Sequence, residues 1–365
     1  MPKIRVLIVD DAVVMRRLIS SVLESDPELE VAGIAPNGKI ALARIPQVNP
    51  DVVTLDVEMP EMNGLETIQE IRKIYPRLPV IMFSTMTRRG AVETVEALAR
   101  GATDYVTKPA NVGSVSEGME RLRIELIPKI KAYARPLASP PAIQHCRAPD
   151  MGAQRGPAAA PPGNGSSADF HCSVIAIGAS TGGPNALHQV LPLLPASLAV
   201  PVLIVQHMPP VFTELLAQRL DQASQIRVHE ACDGVLIERG HAYIAPGGKH
   251  LVIAAENGCV RARLNEEPPE NSCRPAVDVL FRSVAHVYGG GTLGVVLTGM
   301  GQDGLRGARW IHEAGGRLIA QDQGSSVVWG MPGALAEAGL ADKIAALGEI
   351  PDAMMALAAS PKGRR

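Results

Sequence analysis

Ser180 stands in the stretch Val174–Pro184, VIAIGASTGGP, where an apolar run passes straight into small residues. Gly178-Ala179-Ser180-Thr181-Gly182 fits the G-x-S-x-G turn that exposes a nucleophilic serine between a strand and a helix. The same letters nearly fit a glycine-rich phosphate loop, with Ser180 where the second glycine belongs. Partners separate the two readings, because a catalytic serine requires a base within reach and a third group to orient that base. Among nine histidines, only His207 immediately follows a long apolar strand, VPVLIVQH. Asp303 follows the turn after GVVLTGMGQ, again at a strand's carboxyl end. Hydroxyl, imidazole and carboxylate therefore converge on one sheet edge, the set that acyl transfer needs. Backbone N–H groups at Thr181 and Met300 are the candidate oxyanion donors. Asp278, in RPAVDVLF, is a rival acid whose plainer role is helix capping.

A second set of polar residues lies in the first third of the chain. Asp10 and Asp11 close IRVLIVDD, Asp56 follows DVVTL, Ser84 ends PVIMFS, and Lys108 ends the last strand, in DYVTKP. Three carboxylates gathered at the carboxyl edge of a parallel sheet repel one another unless a hard cation sits among them, and Mg²⁺ suits such an oxygen-rich site. A hydroxyl and an ammonium facing a metal-bound carboxylate are what a transferring phosphoryl group needs.

The elements that must hold these groups alternate twice. Five short apolar runs between Lys3 and Tyr133 are separated by amphipathic stretches, among them VVMRRLISSVLES and GLETIQEIRKIYP. That pattern predicts a five-unit doubly wound parallel sheet over residues 3–125. Residues 126–170 read as a linker with a helical start, then a Pro/Ala/Gly/Ser-rich stretch that buries too little apolar surface to order itself. Residues 171–358 form a second, mostly parallel α/β sheet unit, with HLVIAAENGCVRARL as an edge hairpin turning at Asn257-Gly258. Residues 359–365 are expected to be a solvated basic tail.

Charge narrows the function classes. The 365 residues carry 35 basic and 37 acidic side chains, a net charge of −2, which speaks against a broad nucleic-acid-binding face. The second unit is also too long for a helix-turn-helix output and shows no basic recognition helix. A nucleotide-binding output lacks the Walker lysine after the loop. No apolar run approaches the roughly 20 residues that span a bilayer, and no leader precedes IRVLIVDD, so a cytoplasmic protein is expected. The five cysteines are scattered and odd in number, so neither disulfides nor a cysteine-based metal cluster is expected.

Residues 3 to about 125, through VEMPEMNG and the five strand-end residues, resemble a two-component receiver domain. The resemblance implies Asp56 as phosphoacceptor, Asp10, Asp11, Asp56 and the Glu58 carbonyl as Mg²⁺ ligands, and Ser84 and Lys108 as phosphate contacts. It also implies Tyr105 as a switch aromatic and a histidine kinase as phosphodonor. From about Ser173 to Leu357, the stretches IGASTGGP, QHMPPVFTELLAQRLD, GHAYIAPGG, LTGMGQDG and IAQDQGSSVVWGMP resemble the catalytic domain of the CheB family of protein-glutamate methylesterase/glutaminases. That implies Ser180 as nucleophile, His207 as general base and acid, Asp303 as orienting acid, and no cofactor in this unit. Implied substrates are methyl esters and glutamines on the cytoplasmic helices of chemoreceptors, in sensory adaptation, with no nucleic acid, no membrane insertion and a monomer expected. One departure stands out: SCRPAVD carries Cys273 where the family usually shows histidine.

Overall fold

The computed structural model describes residues 2–109, 115–134 and 170–358. They form two α/β units. The first runs β1 (Ile4–Val9), α1 (Val13–Glu24), β2 (Leu29–Ala35), α2 (Gly38–Val48), β3 (Val52–Asp56), α3 (Gly64–Ile74), β4 (Val80–Ser84), α4 (Arg88–Ala99), β5 (Asp104–Thr107) and α5 (Val115–Ala134). Its strands are all parallel, in the order β2-β1-β3-β4-β5. Alternation along β1 sends Ile4, Val6 and Ile8 to one face, against α1 and α5, and Leu7 and Val9 to the other. Because both faces are covered, the strands read as continuous apolar runs rather than alternating ones. Local chemistry starts the helices where the strands release the chain: Asn63 and Glu66 form a reciprocal capping box at the start of α3.

The boundary expected at residue 125 falls in the middle of α5. That helix continues to Ala134, and Leu126, Ile127 and Ile130 are buried in the same cluster as β1 and α1. A helical start assigned to the linker is thus the last two turns of the receiver's own packing. The Pro/Ala/Gly-rich stretch and the basic tail lie outside the described residues.

The second unit runs β6 (Val174–Ala179), α6 (Gly183–Val190), β7 (Val202–Gln206), α7 (Phe212–Ala223), β8 (Arg227–Glu230), β9 (His241–Ile244), β10 (His250–Glu256), β11 (Cys259–Asn265), α8 (Val277–Tyr288), β12 (Thr292–Val296), α9 (Leu305–Glu313), β13 (Arg317–Gln321), α10 (Met331–Glu337), β14 (Lys343–Ala345) and α11 (Ile350–Ala358). Seven parallel strands lie in the order β14-β13-β12-β6-β7-β9-β8. The chain leaves β6 toward β7 on one side and later returns through β12 on the other, which opens a crevice at the carboxyl ends of these three strands. The β10–β11 hairpin exists, but as its own two-stranded antiparallel sheet rather than an edge of the seven. It packs on α8, with Leu251, Ile253 and Ala262 buried beside Leu280 and Val284. Strands β8 and β14 are too short and too polar to stand out from the sequence.

The two units share a wall. Phe212, the first residue of α7, is 1% exposed and stacks on Tyr105 of β5, with ring centroids 5.0 Å apart and planes 11° from parallel. Asn185 Nδ2 donates to the carbonyls of Ala102 and Thr103, both at 3.2 Å. Arg88 meets Glu214 through two hydrogen bonds, and Arg219 meets Glu96 at 2.8 Å.

Because Ile130 is fully buried on α5, Ile130→Ala is expected to destabilise the receiver unit by about 2–5 kcal/mol. Urea unfolding of the full chain, with a probe in each unit, should show the receiver midpoint falling and the other unchanged. An unchanged receiver midpoint would place the last turns of α5 outside the core.

Candidate active site

Ser180 leaves the end of β6 in a turn that its neighbours hold from both sides. Its N–H donates to the Thr298 carbonyl (3.1 Å), and its carbonyl accepts from Gly183 N–H (2.7 Å) and Gln206 Nε2 (3.0 Å). Thr298 Oγ1 donates to the Thr181 carbonyl (3.0 Å) and accepts from Val328 N–H (3.0 Å). Gly182 takes φ +76°, a left-handed conformation that glycine adopts without the Cβ penalty of other residues. A Cβ at Gly299 would come within 2.9 Å of Ser180 Cβ. These contacts aim the Ser180 side chain into a cavity of about 610 Å³. Among the described residues, the N–H groups of Thr181 and Met300 donate to no protein acceptor, and both residues line that cavity.

His207 follows β7, which pairs directly with β6 through Ala179 and Gln206. Its Nε2 lies 2.8 Å from Asp303 Oδ2, and its Nδ1 lies 3.5 Å from Cys273 Sγ. Ser180 Oγ makes no hydrogen bond to the ring, so the structure joins histidine to carboxylate and leaves the serine free in the same cavity. Burial pulls the imidazole pKa down, but the bonds to Asp303 and Cys273 outweigh it and push the group up to about 9.

Asp303 is 2% exposed and is the most heavily bonded group of the site. Besides His207, it accepts from the N–H groups of Val277 (2.7 Å), Asp278 (3.0 Å) and Gly304 (3.0 Å), and from Asn271 Nδ2 (2.9 Å). Val277 and Asp278 open α8, so the carboxylate sits on a helix N-terminus. Burial alone would raise its pKa, yet His207 and these donors hold it below the usual carboxylate value. Asp278, the rival acid, is fully buried and makes no hydrogen bond to the histidine. It accepts from Gly307 N–H (2.7 Å) and Asn271 Nδ2 (2.8 Å), which ties α8 to α9.

Three contributors were not assigned a role from the sequence. Gln206 braces the serine turn, Asn271 bridges the two buried acids, and Cys273 faces the histidine. Asn271 and Ser272 both take positive φ (52° and 63°), and that bent loop carries Cys273 into the cavity. Position 273 was legible only as a departure from a family pattern, and Asn271 was not legible at all.

In the receiver unit, Asp10 and Asp56 are buried at adjacent strand ends, and Asp11 is exposed beside them. One carboxylate oxygen from each of the three lies within 4.8 Å of the others. Lys108 Nζ bridges two of them, at 3.0 Å from Asp10 Oδ2 and 2.7 Å from Asp56 Oδ2. Burial raises the Asp56 carboxyl to about 6 against the pull of Lys108. Glu58 N–H reaches Asp56 Oδ1 at 3.4 Å. Ser84 Oγ is turned the other way, onto the carbonyls of Thr85 (3.1 Å) and Gly90 (3.0 Å). Tyr105 points away from this pocket into the wall between the units, where it lines the Ser180 cavity together with Ile124 and Glu125. No helix among the described residues is long and apolar enough to cross a membrane.

An acid pocket on one parallel sheet, sharing a wall with a serine-bearing sheet edge, defines a response regulator with an enzymatic output unit. Comparison with known proteins names that class further. The response regulator receiver domain family matches residues 6–119, and the CheB methylesterase family matches residues 175–354. A protein-glutamate methylesterase/protein-glutamine glutaminase of Trichodesmium erythraeum is 53% identical over 96% of this chain and 98% of its own length. One from a Nocardioides species is 50% identical over 98% of this chain and 96% of its own. The crystal structure of the Thermotoga maritima CheB methylesterase catalytic domain superposes with a TM-score of 0.50 at 42% identity, covering 52% of this chain and all of that one. The chain belongs to the CheB family of protein-glutamate methylesterase/protein-glutamine glutaminases.

Thr298→Val removes one hydroxyl at constant volume and leaves the buried Thr181 carbonyl and Val328 N–H without a partner. A loss of about 1–3 kcal/mol in unfolding free energy is expected. Equilibrium denaturation of the second unit checks this; wild-type stability would mean that the hydroxyl does not hold the serine turn.

Proposed function

We propose that this protein demethylates γ-glutamyl methyl esters, and deamidates glutamines, on the cytoplasmic helices of chemoreceptors. Ser180, His207 and Asp303 act as a triad, and phosphorylation of Asp56 controls access to it. The observation that carries the catalytic reading is the Asp303–His207 pair, held by three backbone N–H groups beside a serine whose hydroxyl is free.

The chemistry follows from which atoms are already engaged. Asp303 holds Nε2–H, so Nδ1 carries the lone pair and is the base. Ser180 Oγ attacks the ester carbonyl as its proton passes to Nδ1, and the negative oxygen falls to the N–H groups of Thr181 and Met300. Collapse breaks the bond to methoxide, which takes the proton from the imidazolium and leaves as methanol. Water then attacks the acyl-serine by the same route and releases glutamate; a glutamine side chain would give ammonia in the first step. For Nδ1 to serve Ser180 it must let go of Cys273 Sγ, so the resting ring is one contact away from its working arrangement.

In the receiver, the buried carboxylates of Asp10 and Asp56, with Asp11 at the rim, fit a small hard cation. These three, with the Glu58 carbonyl, would hold Mg²⁺, which would supply charge neutralisation for an incoming phosphoryl group. Lys108 already balances Asp10 and Asp56 and would follow the phosphoryl oxygens, and Ser84 would turn from Gly90 to meet them. A histidine kinase would be the donor. The covering of the Ser180 cavity by Tyr105, Ile124 and Glu125 supports inhibition by the unphosphorylated receiver.

Ser180→Ala should lower methanol release from methylated receptor membranes by roughly a thousandfold or more with unfolding unchanged. Activity within tenfold of wild type would remove Ser180 as nucleophile.

The base must be neutral to accept a proton, and protonation of His207 near pH 9 opposes this. Log kcat/KM should therefore climb with pH, approaching unit slope below the inflection, and level above about 9. Asp303→Asn should move the inflection to lower pH, since the anionic partner is lost. A profile flat from pH 7 to roughly 10 would exclude His207 as the titrating base.

Asp56→Asn should block labelling by a small acyl-phosphate donor with Mg²⁺. A fragment beginning at Phe170 should be faster than the unphosphorylated full chain and indifferent to donor, by up to about tenfold if the wall is worth ~1.4 kcal/mol. A folded fragment no faster than the full chain would rule out occlusion.

A further inference from the structure

We infer that His207 and Cys273 form a binding site for a soft divalent metal, with zinc the fitting ion, and that its occupancy blocks turnover. Three observations carry this. His207 Nδ1 and Cys273 Sγ are 3.5 Å apart. Zinc bonds of about 2.0–2.1 Å to nitrogen and about 2.3 Å to sulfur, at a tetrahedral angle, separate the two atoms by roughly 3.5–3.6 Å. The separation of the two atoms is therefore the one that a shared zinc ion would set.

The second observation is the other face of the ring. Nε2 is held by Asp303 Oδ2 at 2.8 Å, and Asp303 is itself locked by Val277, Asp278, Gly304 and Asn271. A carboxylate on the far ring nitrogen fixes the tautomer that presents a lone pair to a metal and raises the basicity of that nitrogen. Asp303 thus serves as the outer partner; with its carboxylate, the three residues place ligand atoms within 4.8 Å of one another.

The third observation is access. His207, Cys273 and Met300 line the open cavity of about 610 Å³, so the two coordination positions left by nitrogen and sulfur face a space that water can fill. Binding is a ligand exchange: Cys273 gives its thiol proton to solvent, the sulfur and Nδ1 each donate an electron pair, and four of the six hydration waters leave as the ion becomes tetrahedral, two staying on the positions that face the cavity. Sulfur and imidazole discriminate for zinc or cobalt(II) over Mg²⁺, which belongs with the oxygen set of Asp10, Asp11 and Asp56.

The inhibitory consequence rests on the reading of His207 as base, because the metal takes the lone pair that would accept the Ser180 proton. The metal site itself does not rest on that reading. Among the described residues, Cys172 is buried, while Cys232 and Cys259 are exposed and lie elsewhere in the second unit; Cys146 lies outside them, so every protein in the test also carries Cys146→Ser, and the variant at 273 then isolates the site.

The test uses the full chain in saturating Mg²⁺. Cobalt(II) should produce a thiolate-to-cobalt charge-transfer band, one equivalent of zinc should abolish it, and Cys273→Ala should lack it. Zinc should lower methanol release reversibly, with recovery after chelation and Mg²⁺ replacement, and Cys273→Ala should be at least tenfold less sensitive relative to its own uninhibited rate. Absence of the band in wild type, or the same band in Cys273→Ala, overturns the site. The band together with zinc-insensitive turnover overturns the inhibition and points to a base other than His207. If Cys273→Ala is itself inactive, the spectrum decides the site alone.

Discussion

A carboxylate buried at the N-terminus of a helix is expensive unless its charge is answered on every side, and Asp303 is answered five times. Its oxygens take the N–H groups of Val277, Asp278 and Gly304, the Asn271 amide and the His207 ring. Each partner comes from a different reason of the fold. Val277 and Asp278 offer their N–H groups because the first turn of α8 has no intrahelical acceptor for them. Gly304 caps the N-terminus of α9 and can take its φ of +97° because it lacks a side chain. Asn271 arrives on a loop bent through two positive-φ residues. Remove the carboxylate and a helix end, a loop and the imidazole all lose the group they converge on. The site is thus a consequence of how the α8 N-terminus is satisfied, and His207 is oriented by a charge that the packing needs in any case.

The same sheet logic is used twice along one chain, with different outcomes. In both units, parallel strands bury their sides and expose their carboxyl ends, so polar groups can gather only at one edge. In the receiver the edge collects carboxylates and a lysine; in the second unit it collects a hydroxyl and an imidazole, with the carboxylate one loop beyond β12. The wall between them is drawn from the back of the first site. Tyr105 lies on β5, one strand from the end that carries Ser84, and its ring lies on Phe212 at the start of α7. Lys129 of α5 sits over that ring at 5.1 Å and also contacts Asp104 at 3.2 Å. A change at the Lys108 end of β5 has a short covalent path to a ring that lines the cavity of Ser180.

How far the sequence carried depends on whether a feature is local. Fully covered strands such as VVTLD, VIAIGA and VLIVQ announce themselves because burial on both faces forbids polar residues. The residues following those strands were legible for the same reason, since a parallel sheet sends them all to one edge. Strands β8 and β14 were not, because an edge strand of three or four residues with charges in it has no periodicity to read. The end of α5 was misjudged because Pro128 and the flanking charges weaken the pattern, while its burial is decided by α1 and β1, more than a hundred residues away in sequence. Gln206 and Asn271 act through single hydrogen bonds across the site, and nothing in a local window marks such a bond.

Position 273 shows what a departure from pattern is worth when it meets a structure. Read as a sequence, SCRPAVD was only an unexpected residue. In the fold, its sulfur occupies the one side of the imidazole that Asp303 leaves open, at a distance that suits either a proton or a metal between them. The nitrogen facing it is the one that Asp303 does not hold. On the proposed mechanism, Cys273 and Ser180 would compete for one lone pair. A histidine at 273 would bring a second neutral base to the same place; a cysteine brings a soft ligand and a weak acid. The substitution leaves the Asp303–His207 pair and the serine turn untouched, since neither depends on a bond from 273, and alters only what the free nitrogen meets when no substrate is bound.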